Sequence, residues 1–352
     1  MVANSTTTFT RRLGRTDLQV SRLCIGGIPI TNVDDVTSDA IINAALDGGI
    51  NLLEMSHAYG NGTCERKFGR ILKTRRDECV LHSRAIVRTG EEMTSSIDAS
   101  LRNLQTDHID IYGVHDINCE VGRREGFLED QVGALMRARE AGKIRFLAVS
   151  GHRQDDLIAA LRTEAFDVVM VAVNPLDLDI AEAVLPVARE LDLGVIAMKP
   201  FAGGLFTERP DISLRYALAQ DVSTVSAGVK SVAELEEDLA IARAYQPLSV
   251  AELESLVDEA AEATAQLGKH ICRQCGYCLR DDGCPEDIDI PRVFFIERAA
   301  KRYFSPGWAK QAYEELLTRA DACIECASCE ERCPYDLPIR EMLVEAHATL
   351  TA

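Results

Sequence analysis

Long apolar runs are missing from this 352-residue chain. No segment approaches the ~18 consecutive apolar residues of a membrane span, so no membrane role is expected. An apolar leader is missing as well. The N-terminus reads MVANSTTTFTRR, and Arg11-Arg12 runs into LGRTD rather than a hydrophobic stretch. Neither a secretory nor a twin-arginine signal is expected, and the chain reads as cytoplasmic. Basic charge is scarce: 38 Lys and Arg stand against 56 Asp and Glu, a net charge of −18. Such a surface repels phosphate backbones and argues against a nucleic-acid partner. No low-complexity tract occurs. With 47% apolar and 27% charged residues, the composition is globular and excludes wholesale disorder.

Cysteine, by contrast, is plentiful, with twelve residues. Cys24, Cys64, Cys79 and Cys119 are scattered and read as core or surface thiols. The other eight lie in two groups: Cys272-x2-Cys275-x2-Cys278-x5-Cys284-Pro285 and Cys323-x2-Cys326-x2-Cys329-x3-Cys333-Pro334. A reducing compartment makes such groups metal sites rather than disulfides. Three thiolates at i, i+3 and i+6 wrap a tight loop around one inorganic cube, and a fourth followed by Pro arrives from further along. Zinc prefers paired C-x2-4-C ligands, and two evenly spaced triplets do not suit it. The spacing therefore predicts two 4Fe–4S clusters. By analogy with bacterial ferredoxins, Cys333 closes the first cluster and Cys284 the second; local closure of each set is the alternative.

The chain divides near residue 248. Up to there, apolar strand-like runs at 23–26, 51–55, 79–84, 109–114, 144–150, 167–173, 194–198 and 222–228 alternate with amphipathic stretches at 38–47, 95–104, 127–141, 155–161 and 232–242. That beat predicts an α/β chain whose residues 1–248 form a (β/α)8 TIM barrel. A doubly wound sheet is weakened by the lack of G-x-G-x-x-G after the first strand. Residues 9–20 read as a hairpin ahead of the barrel. Residues 249–352 read as a mainly helical, ferredoxin-like domain, with helical stretches at 250–267 and 291–319.

Barrel chemistry gathers at the C-terminal strand ends. There the sequence places Glu54, His57 and Tyr59; His82, Ser83 and Arg84; His115 and Asp116; Ser150, Gly151 and His152; Asn174; and Lys199. His57 and His82, taken alone, read as satisfied rim or core histidines. No ligand spacing among these histidines points to a metal.

Their order carries a resemblance. NLLEMSHAYGNG (51–62), VLHSR (80–84), HIDIYGVHD (108–116), GVIAMKPFAGG (194–204) and SAGVKS (226–231) resemble the corresponding segments of the aldo-keto reductases. Together with the double cysteine run, the chain from about Arg11 resembles the iron–sulfur-fused branch of that family. The resemblance implies a nicotinamide-dependent oxidoreductase with a tetrad of Asp, Tyr, Lys and His. Tyr protonates the carbonyl oxygen, Lys lowers the Tyr pKa, Asp pairs with Lys, and His orients the carbonyl. By position Tyr59 and His115 match, while Glu54 stands for Asp and Arg84 for Lys. Arg84 keeps its proton, and a bidentate pair with Glu54 is expected. The resemblance also implies a cofactor pocket of Ser150, Asn174, Lys199, Gly228, Lys230, Ser231, Glu237 and Asp238. Gly151 and Met170 depart from the usual Asn and Gln there. NADP or NAD is implied, and the phosphate site is also compatible with FMN.

A hydride carries two electrons and a cluster passes one at a time. Joining them needs a flavin, a radical substrate or a second partner. The favoured arrangement is a small carbonyl or alcohol at the barrel mouth, with both clusters relaying electrons between an external carrier, a ferredoxin or other redox partner, and a redox centre bound in the barrel. The clusters as a structural or docking module on an ordinary reductase is a second arrangement. The alternative of another class is an electron-transfer protein whose barrel is a docking scaffold. The loops around 61–64 and 117–124 are expected to choose the substrate.

Overall fold

The structure, a computed structural model, describes residues 9–87, 89–117, 127–265, 271–272, 277–279, 283–302, 306–333 and 335–352. Cys275 and residues 118–124 of the expected substrate loop lie outside them. The chain forms two compact units: Met1–Ala202 with Phe206–Leu256, and Gly203–Leu205 with Val257–Ala352.

In the first unit, a hairpin of β1 (Thr10–Arg12) and β2 (Gln19–Ser21) precedes eight strands. These are β3 (Leu23–Gly26), β4 (Leu52–Glu54), β5 (Val80–Ala85), β6 (Ile109–Ile117), β7 (Ile144–Gly151), β8 (Val168–Ala172), β9 (Gly194–Met198) and β10 (Thr224–Ala227). They pair in parallel and close into a barrel in the order β10-β3-β4-β5-β6-β7-β8-β9. This is the expected eight-stranded barrel. Most of these strands are apolar runs buried along their whole length, as parallel strands covered on both faces must be. Around them lie α1 (Gly27–Asn32), α2 (Asp35–Asp47), α3 (Thr63–Arg75), α4 (Gly90–Leu104), α5 (Phe127–Glu140), α6 (Gln154–Leu161), α7 (Leu178–Glu190), α8 (Pro210–Ala219) and α9 (Val232–Ala244).

The hairpin joins the barrel core. Leu13 and Val20 pack with Cys24, Leu52, Ile111, Met170 and Ile196. Gly14 is required where hairpin meets β9. Its φ is +48°, and a Cβ there would stand 2.1 Å from the Gly194 nitrogen. Helix α4 starts five residues ahead of the amphipathic stretch read at 95–104. Thr89 accepts from the Glu92 N–H while Glu92 reaches back to the Thr89 N–H, a capping box that extends the helix towards β5.

The second unit contains α10 (Val250–Ala265) in part, α11 (Ile290–Arg302), α12 (Pro306–Glu314), α13 (Ser328–Glu331) and α14 (Ile339–Thr351). The single helical stretch expected at 291–319 is instead α11 and α12 followed by a short turn. Pro306 explains the break: it lacks the N–H a continuing helix needs, and it suits the first turn of a new one. The two halves repeat each other around their last cysteines. After Cys284 and after Cys333, an Asp three residues on (Asp287, φ 54°; Asp336, φ 50°) turns left-handed and donates its N–H back to the cysteine carbonyl. A helix then starts six residues past each cysteine, at Ile290 and at Ile339.

Candidate active site and cluster centre

Four residues of the altered tetrad meet at the C-terminal ends of β4, β5 and β6. Glu54 ends β4, Arg84 stands near the end of β5, and both are 2% exposed. Arg84 Nη2 donates to Glu54 Oε1 and, at 2.6 Å, to Tyr59 Oη. Its Nη1 donates to Ser150 Oγ at 3.1 Å. The expected bidentate pair is therefore corrected: one guanidinium nitrogen serves Glu54 and Tyr59 together, and the second carboxylate oxygen accepts from Ser226 at 3.3 Å. A carboxylate one methylene longer than Asp, facing a fork longer than Lys, leaves the fork free to spread over three partners.

The His115 ring stands edge-on to the Tyr59 ring, with centroids 5.6 Å apart. Its Nδ1 lies 2.7 Å from Ser56 Oγ. Burial drives the Tyr59 phenol far above its ordinary pKa; the Arg84 charge pulls it down, and Glu54 pushes it up again. Burial would lower the Arg84 guanidinium, but Tyr59 and Glu54 outweigh that and hold it above its ordinary value.

One layer deeper, His82 is fully buried. Burial and then the Arg84 charge push its imidazole well below the usual range, so it is a neutral core ring. His57 turns to Glu65, a fully buried carboxylate that also accepts from Ser83 and Asn103. Burial would raise Glu65, but the hydrogen bonds from His57, Asn103, Ser100 and Ser83 hold it below its ordinary value. Ser56, Ser226 and Glu65 escaped the sequence reading. Serines give little signal alone, and Glu65 lies in a helix away from the strand tips.

Other strand ends assemble a second line. Asp116, His152 and Lys199 follow one another, with His152 Nε2 3.7 Å from Asp116 and Lys199 Nζ 3.5 Å from both ring nitrogens of His152. Asp116 (φ 58°) and Lys199 (φ 54°) are left-handed, a conformation that costs a non-glycine residue on the order of 1 kcal/mol.

The expected cofactor residues divide. Ser150 accepts from Arg84 and from the Asp116 N–H at 3.1 Å, which fills both lone pairs and leaves its hydroxyl hydrogen as a donor. That fits the amide of a nicotinamide. Asn174 is instead committed to its own turn: Oδ1 accepts from Leu176 and Asp177, and Nδ2 donates to Asp177. Gly228 packs against Pro29. Ser231 caps α9 by accepting from Glu234 N–H, and Lys230 is exposed, its N–H held by Glu234 Oε2 at 2.7 Å. Glu237 is exposed while its neighbour Asp238 is buried, so the two do not face one ligand together.

In the second unit, Cys272, Cys278 and Cys329 are buried in one apolar cluster, with Cys284, Cys323 and Cys333 against it. Cys326 is exposed. The loop through Cys323, Cys326 and Cys329 is wound tight by two left-handed residues, Glu325 (φ 57°) and Ala327 (φ 65°). Arg332, beside Cys333, donates to the carbonyl of Gly283, beside Cys284, at 2.8 Å. Burial pushes the Cys329 thiol up to about 11, and Glu330, Cys323 and Cys284 act on it as well. Among the described residues no three Cys, His, Asp or Glu converge on one ion. Thiolates are the donors that a 4Fe–4S cube takes, so the donor set fits such a group.

The profile of the aldo/keto reductase family matches residues 22–213, more than half of the chain. The chain belongs to the aldo/keto reductase family. A 4Fe-4S dicluster domain matches residues 271–338. This aldo/keto reductase is an oxidoreductase with an iron–sulfur domain. It is similar to the L-galactose dehydrogenase of Arabidopsis thaliana, 26% identical over 324 residues, 74% of this chain and 98% of the relative. An aldo-keto reductase of Bacillus subtilis (strain 168) is 27% identical over 209 residues, 54% of this chain and 62% of the relative. An aldo-keto reductase from Bacillus halodurans, in its holo form, shares the fold: TM-score 0.63 at 24% identity, over 71% of this chain and 95% of that one. No helix among the described residues is long and apolar enough to cross a membrane.

Proposed function

We propose that the barrel mouth interconverts a small carbonyl compound and its alcohol, and that two 4Fe–4S clusters exchange single electrons with an external carrier of the ferredoxin class. One observation carries the reading: Arg84 binds Tyr59 and Glu54 through the same nitrogen, which rebuilds the family's acid and its charge pair from altered residues. The Arabidopsis relative is named for L-galactose, and an aldose is the first candidate substrate.

A bound nicotinamide would supply or accept the hydride. NADP and NAD both remain in this reading, with Ser150 at the amide and Lys230 nearest a phosphate. The comparisons lend no support to FMN. In the reducing direction Tyr59 gives its phenolic proton to the carbonyl oxygen as charge develops there. Arg84 stabilises the tyrosinate left behind, and Glu54 with Ser226 holds Arg84 in place. Clusters of this kind, when bound, would carry single electrons, so coupling them to a two-electron hydride would need a further redox group or a second partner that splits the pair.

Tyr59→Phe is expected to lower aldose turnover by at least about 100-fold, the range of a lost general acid. The assay is anaerobic turnover of the holoprotein, with cluster absorbance followed in parallel. Unchanged turnover in Tyr59→Phe would remove the tetrad assignment. A second reading, an electron carrier with a scaffold barrel, draws support from the strongly raised Tyr59 phenol, which makes a reluctant acid. It gains if the clusters accept electrons from a ferredoxin while no nicotinamide binds the barrel.

A further inference from the structure

The two cysteine triplets are spaced alike and charged oppositely. From three residues before the first cysteine to two past the third, residues 269–280 carry Lys269, Arg273 and Arg280 and no acid, a charge of +3. The matching window, 320–331, carries Asp321, Glu325, Glu330 and Glu331 and no base, a charge of −4. Extended to 283 and 334, the windows take in Asp281 and Asp282 on one side and Arg332 on the other. The contrast narrows to +1 against −3 and does not reverse. Packing adds to it. Arg298, on α11, donates from Nη2 to the Cys272 carbonyl at 2.6 Å, and among the described residues no acid forms an ion pair with it. Beside the other triplet, Arg340 spends its guanidinium on Glu330, with Nε at 3.0 Å and Nη2 at 2.8 Å from one carboxylate oxygen. Arg319 stands 3.9 Å from Asp321. Glu325, between Cys323 and Cys326, and Glu331 are exposed and form no ion pair among the described residues.

We infer that these charges set the two clusters apart in potential: whichever Cys-Pro closes each cube, the triplet Cys272–Cys278 holds the first electron and the triplet Cys323–Cys329 the second. Reduction adds one negative charge to a cube, so nearby cations favour the reduced form and nearby anions oppose it. A unit charge about 10 Å away, at an effective dielectric of about 20, moves a one-electron equilibrium roughly tenfold. Water at the exposed Cys326 acts the other way, because it favours the more charged form. It reaches one thiolate, whereas several charges separate the two loops. An electron delivered beside Cys326 therefore passes to the side of Cys272. The transfer moves one electron, oxidising one cube as it reduces the other, and needs no proton. The inference rests on both clusters being bound, as proposed. It does not depend on the barrel chemistry.

The test is a redox titration of the anaerobically prepared holoprotein, followed by EPR, with soluble mediators as the electron source and iron and sulfide measured on the same sample. Two one-electron steps at least about tenfold apart in equilibrium, about 59 mV, are expected. Repulsion between two reduced cubes would also separate the steps of a symmetric pair, so the half-reduced sample carries the decision. Its signal is expected to change in Cys272→Ser and to persist in Cys323→Ser. Arg298→Gln, which keeps a donor for the Cys272 carbonyl and loses the charge, is expected to weaken the upper step at least about threefold. Arg298→Lys, which keeps the charge, should retain it. Glu325→Gln should strengthen the lower step by a similar factor. A half-reduced signal that changes in Cys323→Ser and persists in Cys272→Ser, or an upper step untouched by Arg298→Gln, would overturn the inference. If the ligand variants lose a cluster, Arg298→Gln alone decides. Iron and sulfide short of two cubes would fall on the cluster reading and take the inference with it.

Discussion

Tyr59 and Arg84 are joined by a 2.6 Å hydrogen bond inside the barrel rim, and the nitrogen that makes it also holds Glu54. One cation thus serves two anionic or latent anionic groups, all nearly out of reach of water. Removing the cation strands a carboxylate in a medium that solvates it poorly.

Arg84→Met is expected to cost about 3–5 kcal/mol of stability, because Glu54 keeps only Ser226. Adding Glu54→Gln to Arg84→Met should recover most of that loss. Urea unfolding of the two single variants and the double variant measures it. Additive losses would mean that the pair is not coupled.

Asp238 gives a pH signature. It is 3% exposed, and burial, then Glu237 and Glu234, raise its carboxyl to about 7. A folded-state pKa above the unfolded value means that the folded chain binds the proton more tightly. Its contribution is therefore most favourable below about 4 and is lost as pH rises towards 7. Asp238→Asn is expected to stabilise the protein by roughly 1–3 kcal/mol near pH 8 and to change little near pH 4. Thermal unfolding across that range would show a flat difference if Asp238 were ordinary.

Lys67 is buried on α3, and its Nζ donates to the carbonyls of Ile30 at 3.0 Å, Thr31 at 3.2 Å and Val33. These are the last carbonyls of α1 and its exit. Lys67→Met is expected to cost about 2–3 kcal/mol, since one buried and two partly buried carbonyls lose a charged donor. Hydrogen exchange at α1 should rise with it, whereas a global loss with no local change would argue for another cause.

Glu234 occupies the Lys230 N–H at the start of α9. Replacing it removes a negative charge from the place where a cofactor phosphate would sit. Glu234→Gln is expected to tighten NADPH binding several-fold, and NADH binding less. Calorimetric titration of both cofactors would find no change if the phosphate lies elsewhere.

The Arg332 bond to Gly283 draws the two Cys-Pro segments together. Cys284→Ser is then expected to disturb the same cluster as Cys323→Ser, and Cys333→Ser the same as Cys272→Ser. EPR of reduced samples tells the clusters apart. Matching signals for Cys284→Ser and Cys272→Ser would instead mean that each set closes locally.

Much of this was legible in the residues. Apolar runs separated by amphipathic stretches mark a covered parallel sheet, and cysteines three apart followed by Cys-Pro mark a cube. The helical stretch expected at 291–319 divides into α11 and α12 because Pro306 sits inside an otherwise periodic stretch. Asn174 carried no sign that its side chain would be spent on its own turn. The roles of Ser56 and Ser226 were invisible, because a serine means nothing until its neighbours are known.

The eight barrel strands and the two cysteine groups follow from local pattern, because burial periodicity and cysteine spacing are written along the chain. Which atoms meet was decided only on closure of the barrel. Arg84, His115 and Ser150 come from strands well separated in sequence from Glu54 and Tyr59, and a guanidinium's three bonds depend on distances that no linear spacing encodes.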